Sequence, residues 1–386
     1  MADGTVRGKP RADGWMRAAA LSTAALRAWA QGDPERAAAM LDGLLGDAHG
    51  DMPAELVALT SSALVRALSG RLGRARQDLA AAEYRLRTLG PPAFVSQWEQ
   101  AALVCDWAAG DWMAAEARSA RLAPMPPVPA AITLGLRVEL LRQSGRREAA
   151  EQVAQKLAGH PLWPMAAWAL AGLDRSSATA LDRLRAATRS ERRGGLPLVL
   201  HRMVEIAWTA GDEATTAQAY ADLRRLDRDD PMARVLEGLA EAYATCSAGP
   251  ARTAQVIAES EGLAALAAEC LTARGRLGDR PDRTLRTARD RWQAIGARLH
   301  VHEHAALLDE PVPADDAPPR LTPRERELVG LVQAGRTNRD IAAAMHLSVK
   351  TVEAYLTRVY AKTACTSRLE LALAATRGHI PMVAPK

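Results

Sequence analysis

Apolar and polar positions follow a recurring pattern of helix, tight turn and helix along most of the chain. Between about residues 15 and 308, an apolar helix ends in a small residue and a glycine, and an alanine-rich helix follows. Apolar residues spaced three to four apart predict amphipathic helices. The turn glycines, separated by 38, 40, 35 and 66 residues, are Gly32, Gly70, Gly110, Gly145 and Gly211. The last gap is close to two periods, so the spacing indicates an internal repeat.

A two-helix repeat with a period in the mid-thirties is typical of a tetratricopeptide-like solenoid. The glycine would end the first helix in a left-handed conformation, and a nearby Asp or Ser would cap the second helix. Weaker turns are predicted at Gly172 and around Gly249 and Gly278. The full consensus of that repeat is absent, so an irregular helical bundle is the alternative. Aromatic residues are only 4% of the chain and strand-forming runs are scarce, which predicts an all-α fold.

Three helix-start signals follow each other closely in the last fifth of the chain. The segment Thr322–Glu325 reads as a capping box with proline at the first helical position. The segment Thr337–Asp340 starts a second helix, and Ser348 caps a third helix over residues 349–362. The predicted apolar faces are Leu328, Leu331 and Val332 in the first helix and Ile341, Ala344 and Met345 in the second.

The third of these helices has one apolar face. Val352, Leu356 and Val359 recur at helical spacing and are predicted to face the core. The positions then predicted to face outward are Lys350, Thr351, Glu353, Ala354, Thr357 and Arg358. Short helices of which the third presents a polar face indicate a helix-turn-helix, and the major groove of DNA is wide enough to admit such a helix.

The residues of this segment occur in the order and at the spacing of a known family. They are Leu321 to Glu327, Gly335, Asn338, Ile341-Ala342, Leu347-Ser348, Lys350 to Glu353, Arg358, Lys362 and Ser367-Arg368. Over about 60 residues the segment resembles the LuxR-type (GerE-like) DNA-binding domain. The resemblance implies four helices, of which the third enters the major groove and the fourth pairs two copies on an inverted-repeat operator.

The same resemblance implies a role for individual residues. Glu353, Ala354 and Thr357 occupy base-reading positions. The candidate contacts to the phosphate backbone are Lys350, Thr351, Arg358 and Lys362, with Thr337, Asn338 and Ser348 at the starts of the second and third helices. Leu369 and Leu373 in the fourth helix are the candidate dimer contacts, so a homodimer bound to double-stranded DNA is expected.

The charge distribution agrees with a nucleic-acid partner for the C-terminal segment. Residues 320–386 contain 11 Lys and Arg against 5 Asp and Glu, whereas the rest of the chain is nearly balanced. A concentration of positive charge on one domain is the pattern expected where that domain meets phosphate. A solvated basic surface without a ligand is the alternative.

Composition and the positions of segments rich in proline or glycine predict the domain organisation. We expect a loose tail at 1–14, a helical-repeat domain at 15–308, a proline-rich linker at 309–319, the DNA-binding domain at 320–378 and a tail at 379–386. The end of the repeat domain, TLRTARDRWQAIGARLHVHEHAALL, resembles the last helical hairpin of MalT-like large LuxR regulators. Those proteins carry a P-loop ATPase, but GxxxxGK[ST] is missing here, so neither an ATP switch nor any other cofactor is expected.

Several tryptophans lie in the repeats, where core packing is their ordinary role. Trp112, Trp163 and Trp168 fit the repeat pattern less well, and we consider them candidates for stacking on a flat or apolar ligand. His300, His302 and His304 form no HExxH motif, so solvated or interface histidines are favoured over a metal site.

The remaining features indicate a cytoplasmic protein without enzymatic activity. The four cysteines are widely spaced, and neither a secretory signal nor an apolar run of membrane-spanning length is recognisable. No catalytic set of residues can be assembled. The sequence therefore predicts a transcription regulator whose repeats sense a small molecule. A protein partner bound by the repeats, and repeats that serve only oligomerisation, are the alternatives.

Overall fold

Helices make up the regular structure of the part of the chain that the computed structural model describes. This part comprises residues 14–89, 94–122, 127–157, 163–226, 229–310, 323–345, 347, 349–363, 368, 371–372 and 375. The all-α prediction is confirmed, since these residues contain helices and no strand. Contacts divide the chain into two compact units, Met1–Pro311 and Val312–Lys386, which we call the repeat unit and the C-terminal unit. The finer domain boundaries stay predictions.

The repeat unit is built of consecutive helices joined by short turns. Its helices are α1 (Gly14–Ala30), α2 (Pro34–Asp47), α3 (Met52–Leu68), α4 (Leu72–Leu89), α5 (Val95–Ala109), α6 (Trp112–Arg121), α7 (Pro127–Gln143), α8 (Arg147–Leu157), α9 (Pro164–Ala171), α10 (Ser177–Thr188), α11 (Leu196–Thr209), α12 (Glu213–Arg224), α13 (Pro231–Ala244), α14 (Ala248–Glu261), α15 (Ala264–Arg276), α16 (Pro281–Ile295) and α17 (Arg298–Leu307). None of the described helices combines the length and the hydropathy that crossing a lipid bilayer requires.

Each odd-numbered helix from α1 to α15 packs against the even-numbered helix that follows it, forming a helical hairpin. Each odd-numbered helix in this range also packs against the next odd-numbered one. The odd-numbered helices therefore form one continuous layer and the even-numbered helices a second layer. This arrangement confirms the prediction of a helical-repeat solenoid.

The turns inside the hairpins follow the predicted chemistry, with two exceptions. All five turn glycines have a positive φ, between 75° at Gly211 and 92° at Gly32. Gly172 does follow α9, but its φ of −66° is right-handed. Gly249 lies inside α14, and the left-handed position of that hairpin is taken by Cys246, with a φ of 48°. The turn predicted around Gly249 is therefore present a few residues earlier, between α13 and α14, but Gly249 does not form it.

Aspartates after the turn glycines cap the even-numbered helices. The Asp33 side chain accepts a hydrogen bond from the Arg36 amide at 2.9 Å. The Asp212 side chain accepts one from the Thr215 amide, also at 2.9 Å. Such a cap satisfies an amide that has no partner within the helix, and it is worth about 0.5–2 kcal/mol.

The solenoid winds so tightly that hairpins far apart in sequence touch. The Arg193 amide before α11 donates to the Ala30 carbonyl at the end of α1, at 2.8 Å. The Met232 amide in α13 donates to the Ser69 carbonyl after α3, at 3.2 Å. Helices α5 and α15 are also in contact, as are α7 and α17. Each contact joins helices ten apart, so five hairpins complete one superhelical turn and the next turn packs directly on it.

Three of the turn glycines lie at these contacts between superhelical turns. A Cβ atom at Gly70 would lie 2.7 Å from the Met232 amide nitrogen. At Gly32 it would lie 2.7 Å from the Arg193 Cβ, and at Gly110 2.9 Å from the Ala264 Cβ. By contrast, a Cβ at Gly145 would meet nothing within 4 Å. Glycine is therefore required for two reasons at Gly32, Gly70 and Gly110. The backbone there is left-handed, and the neighbouring superhelical turn leaves no room for a Cβ atom.

The C-terminal unit contains α18 (Pro323–Gln333), α19 (Asn338–Ala344) and α20 (Val349–Thr363). Ala344 is exposed whereas Ala342 is buried, so the predicted apolar face of the second helix is wrong at this position. A seven-residue helix makes so few turns that its buried side is set by its neighbours rather than by periodicity alone. The buried core of the unit comprises Leu328, Val329, Val332, Ile341, Ala342, Val352, Leu356, Val359, Leu371 and Ala375.

We predict that Gly70→Ala destabilises the protein much more than Gly145→Ala does. Both glycines have nearly the same φ, 78° and 80°, so the left-handed conformation costs each variant about 1–2 kcal/mol. Only Gly70→Ala also forces the Met232 backbone away, which adds about 1–3 kcal/mol. Urea denaturation of the two variants measures this difference. Equal losses would show that the close approach between superhelical turns does not contribute to stability.

Candidate functional site

The start of α19 is fixed by a reciprocal cap. The Thr337 hydroxyl accepts a hydrogen bond from the Asp340 amide at 3.2 Å, and the Asp340 carboxylate accepts one from the Thr337 amide at 3.0 Å. The Thr337 hydroxyl also donates to the Asp340 carboxylate at 2.7 Å, and this hydrogen bond, followed by the one from the Thr337 amide, lowers the pKa of Asp340. The cap orients α19 and places the exposed Thr337 at its amino end, where the sequence predicts a phosphate contact.

Arg368 connects the chain after α20 to the start of α19. Its guanidinium donates to the Asn338 side-chain oxygen at 2.9 Å, and also to the Arg336 carbonyl. The Asn338 side chain therefore has a structural partner within the unit. Its predicted contact with DNA stays a prediction, and its remaining amide group would have to make that contact.

Helix α20, the predicted recognition helix, packs as the sequence predicts. Val352, Leu356 and Val359 are all buried in the core, which confirms its apolar face. Glu353 is exposed and Thr351 is half-buried. Three other candidates for DNA binding or dimerisation lie wholly outside the described residues: Ser348, Leu369 and Leu373. For the remaining candidates only the backbone is described: Lys350, Ala354, Thr357, Arg358 and Lys362.

Comparison with known families assigns the class of this unit. Residues 319–375 match the family of bacterial regulatory proteins of the luxR type. Together with the capped α19 and the amphipathic α20, this match shows that the chain carries a LuxR-family helix-turn-helix domain at its C-terminal end. The predicted resemblance to that domain is confirmed.

Individual relatives are transcription regulators. The chain is similar to an HTH-type transcriptional regulator of Mycobacterium bovis, with 40% identity over 96 residues, which is 24% of this chain and 11% of the relative. It is also similar to the monoamine regulon transcriptional regulator of Klebsiella aerogenes, with 37% identity over 83 residues, 22% of this chain and 35% of the relative. The chain thus spans only about a tenth to a third of the length of these relatives.

The described residues of the repeat unit border at least two cavities. The first, which we call the charged cavity, has a volume of about 700 Å³ and is lined mainly by the odd-numbered helices from α5 to α17, with residues of α6, α10 and α16. The second, which we call the N-terminal cavity, has a volume of about 950 Å³ and is bordered mainly by α1, α3 and α5. Both volumes lie in the range of small-molecule sites, about 300–1,000 Å³.

The three candidate tryptophans divide between these cavities. Trp112 and Trp168 border the charged cavity, and both are largely buried. Trp163 borders the N-terminal cavity, where the Arg192 guanidinium lies 4.4 Å from its ring centroid. The structure therefore does not bring the three into one site.

Further aromatic residues complete one wall of the charged cavity. Trp107 packs edge-on against Trp168, with ring centroids 6.1 Å apart. Trp292 packs against Trp112 at 5.8 Å and stacks on the His300 ring at 4.1 Å. Four tryptophans thus line this cavity, of which the sequence analysis selected two.

A buried ion-pair network also lines the charged cavity, next to Trp168 of the aromatic wall. Glu139 accepts hydrogen bonds from Arg142 at 2.7 Å and from Arg202 at 2.8 Å. Burial acts to raise the pKa of Glu139, but the two guanidinium groups outweigh it and hold the pKa well below its usual range. The guanidinium of Arg202 also lies 4.5 Å from the Trp168 ring centroid. The network ties α7, α9 and α11 together.

Two more carboxylates, Glu205 in α11 and Glu269 in α15, line the charged cavity. Burial raises the pKa of Glu269, and the negative charge of Glu205 raises it further. The cationic groups Arg276 and Arg202 act in the opposite direction without cancelling the rise. The other ionisable neighbours of Glu269 are Glu303 of α17, Tyr243 of α13 and the adjacent Cys270.

One of the three histidines near the end of the repeat unit differs from expectation, whereas His302 is exposed as predicted. His304 is fully buried, with its Nε2 atom 2.9 Å from the Thr272 hydroxyl and its Nδ1 atom 2.7 Å from the His300 carbonyl. Burial lowers its pKa to about 4. The prediction of a solvated or interface residue is wrong for His304, because α17 turns this side chain onto α15. Among the described residues there is no cluster of three metal-ligating side chains.

We predict that Glu269→Gln raises stability at neutral pH. A carboxyl with a raised pKa holds its proton more tightly in the folded state, so stability falls as pH rises from the ordinary pKa of 4.5 through the folded value. Glu269→Gln removes the ionisable group and therefore avoids this loss of stability, which we expect to be about 1–3 kcal/mol. Melting temperatures of both proteins, measured from acidic to alkaline pH, should coincide at low pH and separate as pH rises.

The exposed Glu213, at the start of α12, provides the matched control for this prediction. Glu213→Gln makes the same chemical change outside the cavity and should leave the pH dependence of the melting temperature unaltered. A wild-type curve parallel to that of Glu269→Gln over the whole range would contradict the raised pKa.

Proposed function

We propose that the protein is a transcription regulator that binds double-stranded DNA through α20. The observation that carries this proposal is the match of residues 319–375 to the luxR family, on a unit whose α20 buries one face and exposes Glu353 on another. In this proposal Glu353, Ala354 and Thr357 read base edges in the major groove. Thr337, Asn338, Ser348, Lys350, Thr351, Arg358 and Lys362 contact the phosphate backbone.

We further propose that two copies bind an inverted repeat, with Leu369 and Leu373 at the dimer contact. Each copy then reads one half-site, and the half-site centres lie about one helical turn apart. The buried Leu371 and Ala375 support a helix that is anchored to the core of the unit in this region. The four cysteines without a paired spacing support a cytoplasmic location.

We also propose that the repeat unit senses a small molecule. Two cavities of ligand size support this role, and the charged cavity combines an aromatic wall with polar groups. A ligand held between the odd-numbered helices would contact several hairpins at once. Its binding would therefore stabilise one particular winding of the solenoid.

The DNA-binding proposal predicts different effects for two variants of α20. Glu353→Ala should change the preferred base at one position of each half-site, by about 1–3 kcal/mol, because a base-edge contact is lost. Arg358→Ala should weaken binding to every duplex and reduce the salt dependence by about one charge. Selection from a random duplex pool followed by titrations at several salt concentrations measures both effects.

Glu213→Ala, at an exposed position of the repeat unit, is the control that makes the same charge change as Glu353→Ala. It should leave both the preferred sequence and the salt dependence as they are. If Glu353→Ala retained the sequence preference of the unaltered protein, the assignment of Glu353 to base reading would be overturned.

A further inference from the structure

The polar groups of the charged cavity are unevenly paired. Five acidic and four basic side chains line it. Three of the carboxylates are in ion pairs: Glu139 with Arg142 and Arg202, Asp174 with Arg183, and Glu303 with Arg276. The carboxylates of Glu205 and Glu269 have no hydrogen-bond or ion-pair partner among the described residues. Arg183 does not line the cavity but offsets Asp174, so five carboxylates stand against five guanidinium groups. Glu205 and Glu269 remain as two acceptor groups without a donor.

Gln143 adds a third acceptor to the same cavity. Its side-chain nitrogen donates to the Glu139 carboxylate at 3.1 Å. A carboxylate can only accept, so the nitrogen must face Glu139 and the amide oxygen is the remaining atom. That oxygen is buried without a hydrogen-bond partner, in a side chain that is only 2% exposed. A buried acceptor without a donor costs free energy that a donor-bearing ligand would recover.

His201 is a further buried and unpartnered group on this cavity. It is 5% exposed, and its Nε2 atom has no hydrogen-bond partner. Burial lowers the pKa of His201 to about 4, so the ring is neutral at physiological pH and supplies no positive charge to the nearby carboxylates. The guanidinium groups of Arg142, Arg202 and Arg276 are engaged by Glu139 and Glu303.

We propose that the charged cavity binds a small organic cation, namely an ammonium group on an apolar or aromatic body. Glu205 and Glu269 would be its counter-charges, the Gln143 oxygen a third acceptor, and the tryptophan wall the surface for its body. An ammonium group offers three donors, which match these acceptors. Its positive charge would offset the repulsion between Glu205 and Glu269 and favour the ionised form of Glu269. Tryptophan faces also attract cations and apolar groups. This inference rests on the proposal that the repeat unit senses a small molecule.

Three matched probes test the charge that the cavity selects. Phenylbutylamine, phenylbutanol and phenylbutyrate share an aromatic body but are cationic, neutral and anionic. We expect the full chain to bind the amine at least about tenfold more tightly than the alcohol, with no saturable binding of the acid. Titration calorimetry and quenching of tryptophan fluorescence measure the affinities, and the rise in melting temperature reports binding independently.

Two variants test the residues. Glu205→Gln and Glu269→Gln should each weaken binding of the amine by about tenfold or more and leave binding of the alcohol unchanged. Glu213→Gln, outside the cavity, should alter neither affinity. The comparison of the three probes needs no variant, so it remains decisive even if a glutamine variant fails to fold.

The outcomes separate this inference from the proposed function. Equal affinity for the amine and the alcohol would contradict a preference for cations but would leave the charged cavity as a small-molecule site. Tighter binding of the acid, binding of none of the probes, or undiminished amine binding by both variants would also overturn the inference. Duplex binding by the same full chain, measured in parallel, tests the DNA-binding proposal regardless of how the probes behave.

Discussion

The close approach of successive superhelical turns is the constraint on which the repeat unit depends. A side-chain atom at Gly32 or Gly70 would collide with the segment that begins the sixth or seventh hairpin. Because these glycines also end the first helix of a hairpin, one residue sets both the local turn and the distance to the next superhelical turn. The backbone bonds from Arg193 to Ala30 and from Met232 to Ser69 form at these same places. The tight winding follows directly from small residues at the ends of helices.

This winding also determines what lies inside. In an open solenoid the charges of Glu139, Arg202 and Glu269 would line a solvated groove, and each would cost little. Here the helices that follow α11 pack over the earlier ones, and the same side chains become buried. Arg142 and Arg202 stabilise Glu139 as an ion, whereas Glu205 and Glu269 repel each other. The interior therefore contains charged groups that are not all paired, which is unusual for a protein core and ordinary for a binding site.

Much of the fold could be predicted from the sequence because its signals are local. A glycine after an apolar helix, followed by an aspartate, specifies a left-handed turn and a cap, and Gly70 and Asp212 are both placed correctly. The core of α20 could be predicted from three residues at helical spacing. These patterns depend on neighbouring residues alone, so one sequence contains all the information that they need.

The charged cavity could not be predicted in the same way. Its residues come from helices up to twelve elements apart, and only the superhelical pitch brings Gln143 beside His300 or Trp112 beside Trp292. The sequence contains a partial signal, since Glu139 and Glu205 lie in largely apolar helices, but that signal does not say which charges will meet. For the same reason the sequence predicts a solvated or interface position for His304, although α15 covers it. The prediction for Ala344 fails for a different reason, because α19 is too short for its periodicity to show which side is buried.

The hydrogen bond between Arg193 and Ala30 joins residues more than 160 positions apart, and it changes how the repeats share stability. In a simple linear array, each repeat interacts with its immediate neighbours, so ends can fray and units can be added or deleted one at a time. Here the later hairpins pack directly on the first ones. The array is therefore expected to melt as one cooperative block, and deleting a terminal repeat would weaken the middle of the protein.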